Sequence, residues 1–228
     1  MIDVVLPAYN EEEHLRDNAG RLYDYLTGNI EGEWRLIIAD NGSTDGTLGI
    51  ARALSREYER VTCSSMLEKG RGRALRKALS ESEAEVLVYM DVDLSTDLKD
   101  LNALISEVRG GSAVATGSRL ISGSDVKRRF VRDLLSKSYN RLARIITRSG
   151  VNDLQCGFKA FNVREVGKIL PEVEDNNWFF DTELLVKAER MGLKVSEIPV
   201  RWVESEKSSV NVRRIITYYI RNLWRIRA

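Results

Sequence analysis

The sequence predicts a protein of the α/β class, built on a mainly parallel sheet with helices on both faces. Two observations support this prediction. Over residues 1–120, short apolar runs alternate with segments in which apolar residues recur at helical spacing. The apolar runs are continuous, which is typical of strands that are covered on both faces of a parallel sheet.

Five apolar runs are predicted to be strands, and polar residues follow them. In chain order the predicted strands are 2–7, 35–40, 61–65, 85–91 and 113–118. Asp40, Asp91, Asp93 and Arg119 lie at or just past the ends of these runs. Because ligands of open α/β sheets bind beyond the carboxyl ends of the strands, these four residues are candidates for a functional site.

The segments between the strands are predicted to be helices. In the first, Leu15, Ala19, Leu22 and Leu26 recur at helical spacing, and acidic residues precede them, as suits a helix N-terminus. The turn NGSTDGT offers an N-cap for a second helix that ends near Tyr58. A third helix follows the glycine-rich turn KGRGR, and a fourth precedes the fifth strand.

Composition excludes several classes of protein. The chain has 228 residues, 43% of them hydrophobic, and its formal net charge of +1 gives no global attraction to nucleic acid. Cys63 and Cys156 are too few for a disulfide framework, and the single His14 excludes a histidine-rich zinc site. No apolar run approaches the roughly 20 residues that cross a bilayer, and no signal peptide is recognised. We therefore expect a reduced, cytoplasmic protein.

Basic residues are concentrated in two amphipathic segments. Residues 127–148 carry eight basic residues against Asp133, and residues 211–228 carry five arginines and no acid. Such a composition suits an interfacial membrane helix, in the second segment above all and also in 130–148, although a helix packed on the sheet with a solvated basic face would show the same pattern. We predict a domain at 1–205 and a basic, membrane-associating helix at 206–228. The two apolar faces are Val131, Leu134, Leu135, Leu142, Ile145 and Ile146, and Val212, Ile215, Ile216, Tyr219, Ile220, Leu223 and Ile226.

Asp91 and Asp93 raise the question of what compensates their charge. Residues two apart on a strand point to the same side, so both carboxylates can meet at one point beyond the fourth strand. Two like charges that close raise each other's pKa unless a cation lies beside them. Mg²⁺ and Mn²⁺ prefer oxygen ligands and keep positions open for phosphate oxygens. The pair therefore predicts a divalent metal site.

The turn EKGRGRAL, residues 68–75, predicts phosphate binding. It places Lys69, Arg71 and Arg73 around two glycines at a helix start, where backbone N–H groups favour an anion. No G-K-[ST] follows the glycines, and no G-x-G-x-x-G follows the first strand. The pattern predicts nucleotide binding but neither hydride transfer nor ATP hydrolysis.

Several stretches together resemble one family. VVLPAYNEEE, IIADNGSTDGT, KGRGRAL, MDVDLS and GSR occur in the order and spacing of the GT-A inverting glycosyltransferases of family 2. Within that family, QCGFKAF and FDTELL are similar to the polyprenyl-phosphate branch, which contains the dolichyl-phosphate β-glucosyltransferases and dolichyl-phosphate mannose synthases. The resemblance covers nearly the whole chain and implies a GT-A, Rossmann-like fold.

The resemblance implies roles for residues near the strand ends. Together with the glycine-rich turn, it gives a nucleotide-binding set of Pro7, Tyr9, Glu11, Asp40, Arg71 and Asp91. It implies a Mg²⁺ or Mn²⁺ ion on Asp93, with Asp91 contacting the metal or the nucleoside. Ser95 stands where mannose synthases have a further metal ligand, and its hydroxyl is a weaker one.

The same resemblance implies an acceptor site. Arg119, Arg132 and Ser136, in or beside an acceptor region at 120–150, match positions that bind the acceptor phosphate. Asp181 matches the position where other family members keep a catalytic base, although it could instead cap the helix that follows it. Asp93, Asp181 and Arg119 are thus the candidate catalytic residues. The family's usual Gly-Ser-Lys reads KSS at 207–209, so the lid that this motif implies would differ.

The implied reaction moves a hexose from a nucleotide sugar, UDP-glucose or GDP-mannose, to a polyprenyl or dolichyl phosphate with inversion. The enzyme would then lie on the cytoplasmic face of a membrane. One alternative is a family 2 transferase that acts on a glycan or lipid-linked saccharide hydroxyl and uses Asp181 as a base. Others are a non-catalytic nucleotide-sugar sensor and an adaptor that binds membrane or RNA through its basic helices; no RNA-recognition motif accompanies those helices.

Overall fold

The computed structural model describes residues 1–204 and 212–227, and in the last helix it describes side chains from residue 217 onward. Seven strands form one sheet in the order β3-β2-β1-β4-β7-β5-β8, and β6 and β9 form a small second sheet. The strands are β1 (Ile2–Ala8), β2 (Trp34–Asn41), β3 (Val61–Met66), β4 (Val86–Met90), β5 (Val114–Ser118), β6 (Asp125–Lys127), β7 (Phe158–Asn162), β8 (Val195–Pro199) and β9 (Arg201–Val203).

Helices cover both faces of the large sheet. They are α1 (Leu15–Asn29), α2 (Thr47–Glu57), α3 (Arg71–Glu81), α4 (Leu101–Arg109), α5 (Phe130–Thr147), α6 (Val163–Ile169), α7 (Phe180–Arg190) and α8 (Val212–Arg225). Side chains alternate between the two faces because a strand has a period of two. Leu6 and Val88 therefore join the core under α1, whereas Val5 and Tyr89 join the core under α3 and α7. The predicted α/β class, with a mainly parallel sheet and helices on both faces, is confirmed.

One strand runs against the others. β7 is antiparallel to both of its neighbours, β4 and β5, and fills the gap between them. All the other pairs of the large sheet are parallel. The five predicted strands occur within a few residues of their expected bounds, but β7 was not predicted. It places residues 156–159 beside the end of β4.

A close helix contact fixes the start of α3. A Cβ atom at Gly72 would lie only 2.6 Å from the Cβ of Phe180 on α7. Only glycine therefore lets the two helices approach so closely at this point. This contact brings the neighbouring residues Arg71 and Asp181 within reach of each other.

The last helix packs part of its apolar face on the protein and leaves Ile220 and Trp224 exposed, so the membrane-associating role predicted for 206–228 stays a prediction. Tyr219, Leu223 and Ile226 of its apolar face are buried in the core shared with α5 and α7. Arg225 makes two hydrogen bonds of 2.8 Å to the buried carboxylate of Glu183 on α7. These three apolar side chains are therefore not free to enter a membrane, because the sheet side of the protein already covers them.

Parts of the prediction for the C-terminal segment lie outside the described residues. These are the KSS motif at 207–209 and the side chains of Val212, Ile215 and Ile216. The division of the chain at residue 205 stays a prediction. Among the residues that the structure describes, no helix is both long enough and apolar enough to cross a membrane.

Candidate functional site

The acidic end of β4 lies at the carboxyl edge of the sheet, as predicted. Asp91 and Asp93 follow Met90 in a tight turn in which Leu94 takes a left-handed φ of 48°. The backbone N–H of Ser95 donates to Asp93 Oδ1 at 3.0 Å and fixes that carboxylate. Partial desolvation, followed by the nearby charge of Asp91, raises the pKa of Asp93. The structure thus reproduces the like-charge conflict that the sequence predicts.

Arg71 supplies one partner for these carboxylates. Its Nη2 lies 2.7 Å from Asp91 Oδ1, and its Nη1 lies 2.6 Å from Asp181 Oδ2. The side chain of Arg71 is only 10% exposed, and its guanidinium packs against the ring of Trp178. One cation therefore bridges Asp91 and Asp181, whereas Asp93 makes no ion pair among the described residues.

Asp181 is one of two almost fully buried carboxylates of the predicted set, with a side chain 3% exposed. Its second oxygen accepts a hydrogen bond from the hydroxyl of Tyr89 and lies 3.2 Å from Lys159 Nζ. Burial alone would raise the pKa of Asp181, but the charges of Lys159 and Arg71 hold it below its usual value. Both oxygens are thus committed to protein partners.

The alternative role of Asp181 as a helix cap is wrong. Helix α7 begins at Phe180, and its N-cap position is Phe179, which makes no side-chain cap. Asp181 lies inside the first turn and is turned toward Arg71 and Lys159. Because these partners come from α3 and β7, the residue joins three elements rather than ending one helix.

The ends of β1 and β2 form the other side of the cleft. Asp40 is buried, and its Oδ1 has no hydrogen-bond partner among the described residues. Pro7 on β1 pairs with Ala39, the residue before Asp40. The ammonium of Lys69 lies 3.5 Å from the centre of the Tyr9 ring. A buried carboxylate oxygen without a partner is costly, so Asp40 has the chemistry to accept a hydrogen bond from a ligand.

Glu11 completes the acidic surroundings of this cleft. Its backbone N–H donates to Thr47 Oγ1 at 2.7 Å, which fixes the loop after β1. Burial raises the pKa of Glu11, and Asp93 is the next cause. The two carboxylates therefore lie close enough to repel each other.

These residues fit a divalent cation. Within the described ranges, no group of three or more His, Cys, Asp and Glu side chains is arranged to hold a metal. The chain instead offers the carboxylates of Asp91 and Asp93, together with the buried Oγ of Ser95, which has no hydrogen-bond partner among those residues. Mg²⁺ is usually held by one or two carboxylates and completes its shell with water and phosphate oxygens. The donor set matches that preference.

Gly157 leaves the space that Asp91 occupies, which gives a first prediction. A Cβ at Gly157 would lie 2.0 Å from Asp91 Oδ2, so Gly157→Ala must displace that carboxylate. If Asp91 serves catalysis, we expect turnover to fall by about 100-fold, since misplacement by about 1 Å has that effect. Steady-state transfer assays measure it.

Gly167→Ala on α6 is the matched control, since no heavy atom lies within 4 Å of the added methyl group. It should keep wild-type turnover. Equal rates for both alanine variants would show that the position of Asp91 does not matter.

Arg119 lies at the end of β5 but is not a free cation. Its Nε and Nη2 donate to the two oxygens of Asp153 at 2.7 and 3.0 Å, and Asp153 is fully buried. The pair raises the pKa of Arg119 and lowers that of Asp153, although burial opposes both shifts. The predicted role of Arg119 toward an acceptor phosphate therefore requires it to serve two anions at once.

Arg132 and Ser136 lie one turn apart on α5. Arg132 Nη1 makes a 2.7 Å ion pair with Glu204, which follows β9. The Oγ of Ser136 is buried and lacks a hydrogen-bond partner among the described residues. In that part of the chain, no hydrogen bond or ion pair joins either residue to Arg119. The joint role of these three residues at an acceptor phosphate stays a prediction.

Four residues of the site escaped sequence reasoning: Tyr89, Asp153, Lys159 and Trp178. Tyr89 and Lys159 lie within apolar strands. The lysine inside the apolar run GFKAF is the one sequence feature that indicates a buried charge there. A buried lysine needs an anionic partner, and Asp181 is that partner.

The buried pair of Arg119 and Asp153 gives a second prediction. A carboxylate with a lowered folded-state pKa stabilises the protein above its unfolded pKa of about 3.9 and loses that contribution as the pH falls through the folded value. Asp153→Asn should lower the free energy of unfolding by about 3–5 kcal/mol near neutral pH, because Arg119 stays buried without a countercharge. The difference from wild type should narrow as the pH falls below about 4.

Urea unfolding at several pH values measures this difference. Asp125→Asn, at an exposed position on β6, is the control and should match wild type throughout. A difference that stays constant into the acid range would contradict the proposed linkage.

The sequence model of glycosyl transferase family 2 matches residues 3–170 of this chain. The chain belongs to that family. The predicted resemblance is thereby confirmed, and the family match runs from β1 through β7 and includes Glu11, Asp40, Asp91 and Asp93. It ends before α7, which carries Asp181.

Individual relatives match more of the chain than the family model does. Glycosyltransferase AglD of Haloferax volcanii is 36% identical over 232 residues, which cover 99% of this chain but 37% of that protein. The dolichyl-phosphate β-glucosyltransferase of Saccharomyces cerevisiae is 28% identical over 92% of this chain and 69% of its own length. The human dolichyl-phosphate β-glucosyltransferase is 29% identical over the same shares. This chain thus spans little more than a third of AglD and about two thirds of the other two.

The fold is shared with solved glycosyltransferases. Glucosyl-3-phosphoglycerate synthase from Mycobacterium tuberculosis, in complex with UDP, superposes over 100% of this chain and 81% of its own with a TM-score of 0.72. The identity is 19%, so the likeness concerns the fold. That synthase has also been solved with Mn²⁺, UDP and phosphoglyceric acid.

Proposed function

We propose that this chain transfers a hexose from a nucleoside-diphosphate sugar to a polyprenyl phosphate, with inversion at the anomeric carbon. One observation carries the proposal. The carboxyl edge of the sheet holds Asp93, without an ion pair among the described residues, in the same cleft as the unpartnered oxygen of Asp40. A cation bound to a diphosphate would satisfy the first group, and a nucleobase N–H would satisfy the second.

Each side chain of the cleft has a role in this reaction. Asp40 accepts from the base, Tyr9 and Pro7 line the nucleotide, and Glu11 limits the cleft on the β1 side. Asp91 and Asp93 hold Mg²⁺ or Mn²⁺, with Ser95 beside them. When bound, the metal offsets the negative charge that develops on the leaving diphosphate. Arg71 keeps Asp91 in place through its 2.7 Å contact.

The acceptor follows from the state of Asp181. An acceptor hydroxyl needs a base to take its proton, but both oxygens of Asp181 are bound by Arg71, Tyr89 and Lys159. A phosphate monoester is already anionic near neutral pH. One of its oxygens can form the new bond to the anomeric carbon while the bond to the diphosphate breaks, and no proton has to move. The anionic acceptor therefore suits this site better than a sugar hydroxyl.

The relatives support the same acceptor and point to the sugar. The yeast and human relatives are dolichyl-phosphate β-glucosyltransferases, so we propose UDP-glucose as donor and keep GDP-mannose as the second donor to test. We further propose a peripheral position on the cytoplasmic face of a membrane. Cys63 and Cys156 are free thiols in the structure, which suits a reducing compartment.

A donor screen tests the proposal. Purified protein is incubated with labelled UDP-glucose or GDP-mannose, polyprenyl phosphate and Mg²⁺ or Mn²⁺, and label is counted in the lipid phase. We expect label from one donor and none in a chelator. The proposal fails if no common donor labels the lipid. Nucleotide binding without turnover would favour a sensor, and label on a saccharide hydroxyl would favour the other acceptor class.

A further inference from the structure

Helix α5 exposes an apolar face to solvent. Its side chains Phe130 and Ile145 are 80% and 68% exposed, and four further large apolar residues on the helix are also exposed. We call this set the outer stripe of α5: Phe130, Val131, Leu134, Leu135, Leu142 and Ile145. Large exposed apolar patches usually mark sites of interaction with another protein, a ligand or a membrane.

The orientation of α5 is the reverse of that of an ordinary surface helix. The residues that it buries fully are small or polar, Asn140, Ala143 and Thr147, and only Tyr139 and Ile146 of its large apolar residues pack partly against the core. Amphipathic helices normally turn their large apolar residues toward the core. The apolar outer stripe therefore faces away from the core that this chain provides.

The charge beside the stripe indicates what covers it. Lys137, Arg141, Arg144 and Arg148 are exposed on the same helix. Asp133, the one acid of α5, is already paired with Lys137 at 2.6 Å and with Arg128 at 2.7 Å. Arg141 and Arg148 make no ion pair among the described residues. An apolar stripe with a basic flank is complementary to an anionic lipid surface.

We propose that the outer stripe of α5 docks the protein on a bilayer with anionic headgroups. A second copy of the chain fits less well, since a two-fold interface through this face brings the same excess of positive charge against itself. The assignment gives α5 the larger exposed apolar face, since α8 buries Tyr219 and Leu223 and exposes Ile220 and Trp224. It rests on the proposed function only in that the acceptor is a membrane lipid.

The inner side of α5 connects this docking surface to the site. Tyr139 Oη lies 3.0 Å from Thr182 Oγ1, next to Asp181. Asn140 Oδ1 accepts from the backbone N–H of Leu154, next to Asp153. A helix is about 10–12 Å in diameter with its side chains. A bilayer on the outer stripe would therefore bring lipid headgroups within about one helix width of Thr182 and Leu154, which adjoin Asp181 and Asp153, the partner of Arg119.

Vesicle flotation of the 228-residue chain tests the docking surface. The vesicles are phosphatidylcholine with or without phosphatidylglycerol. We expect flotation with the anionic vesicles and a loss of affinity of about tenfold or more in the double variant Leu134→Gln, Ile145→Gln. Met191→Gln is the matched control, since Met191 is an exposed apolar residue at the end of α7. Arg141→Gln with Arg148→Gln should weaken binding only to the anionic vesicles.

A second measurement separates docking from catalysis. Transfer to a short, water-soluble prenyl phosphate should be unchanged in the double variant, while transfer to long-chain acceptor in vesicles falls with flotation. The docking proposal is overturned if the double variant floats like wild type. It is also overturned if neither protein floats and light scattering shows that wild type is a dimer whereas the double variant is a monomer. Absence of transfer to every acceptor with normal flotation would instead refute the proposed function and leave the surface intact.

Discussion

Asp93→Asn is expected to reduce sugar transfer by about 100- to 1,000-fold, the loss seen when one electrostatic group at a reacting centre is removed. Asp93 is exposed in the cleft and makes no ion pair among the described residues. Partial desolvation of its carboxylate and the charge of Asp91 raise its pKa. The neutral amide relieves this repulsion, so the protein should fold normally. It removes the negative charge that attracts a divalent ion. Titration calorimetry with UDP, in the presence and absence of Mn²⁺, measures the metal-dependent part of binding directly.

The expected calorimetric result is specific. Wild type should bind UDP more tightly with Mn²⁺ than in a chelator, and Asp93→Asn should bind it equally weakly in both. Asp97→Asn is a nearby control, because Asp97 caps the short 3₁₀ turn at Leu98–Asp100 and lies beyond the acidic turn. If Asp93→Asn retains the full effect of Mn²⁺ on binding and wild-type turnover, the assignment of the metal site is wrong.

Asp181→Asn should destabilise the protein strongly while leaving a substantial residual rate of transfer. The side chain of Asp181 is 3% exposed and compensates Arg71 and Lys159. Removing one partner from a buried ion cluster costs about 3–5 kcal/mol, because the remaining charges stay buried. A phosphate acceptor does not need a base, so the chemical step does not depend on this carboxylate. Urea unfolding and the pH profile of kcat test the two parts separately.

Tyr89→Phe is the matched variant, because it removes one hydrogen bond to Asp181 and keeps the charges. We expect it to cost about 1 kcal/mol. If Asp181 were the base, the kcat of wild type would fall as the pH drops through the pKa of Asp181, and Asp181→Asn would abolish transfer at every pH. That outcome would favour a sugar hydroxyl as acceptor.

The central part of the fold could be predicted from the sequence because strands buried on both faces read as continuous apolar runs. β1, β2 and β4 belong to this class, and Asp40, Asp91 and Asp93 follow from where those runs stop. β7 escaped prediction because Lys159 interrupts its apolar pattern. The lysine is buried only because Asp181 compensates it.

Contacts between distant parts of the chain could not be predicted. Arg71 and Asp181 are 110 residues apart, and each pattern alone indicated a different role: a phosphate contact and a base. Periodicity predicted that α5 and α8 each have an apolar face, but it does not show which side the protein covers. The structure buries Tyr219 and Leu223 of α8 but exposes Ile220 and Trp224. On α5 it exposes six large apolar residues, while the inner side of that helix carries Asn140, Ala143 and Thr147 together with the partly buried Tyr139 and Ile146.

The reversed strand β7 has a consequence for protein engineering. It belongs to the segment between β5 and β8, which also carries α5, Asp153 and Asp181, yet it supplies a central strand between β4 and β5. A chimera could take this segment from a related protein in order to change the acceptor. Such an exchange would also replace the strand next to Asp91 and Asp93. A grafted segment must therefore keep a glycine at position 157, just before β7, and a lysine at position 159 within it.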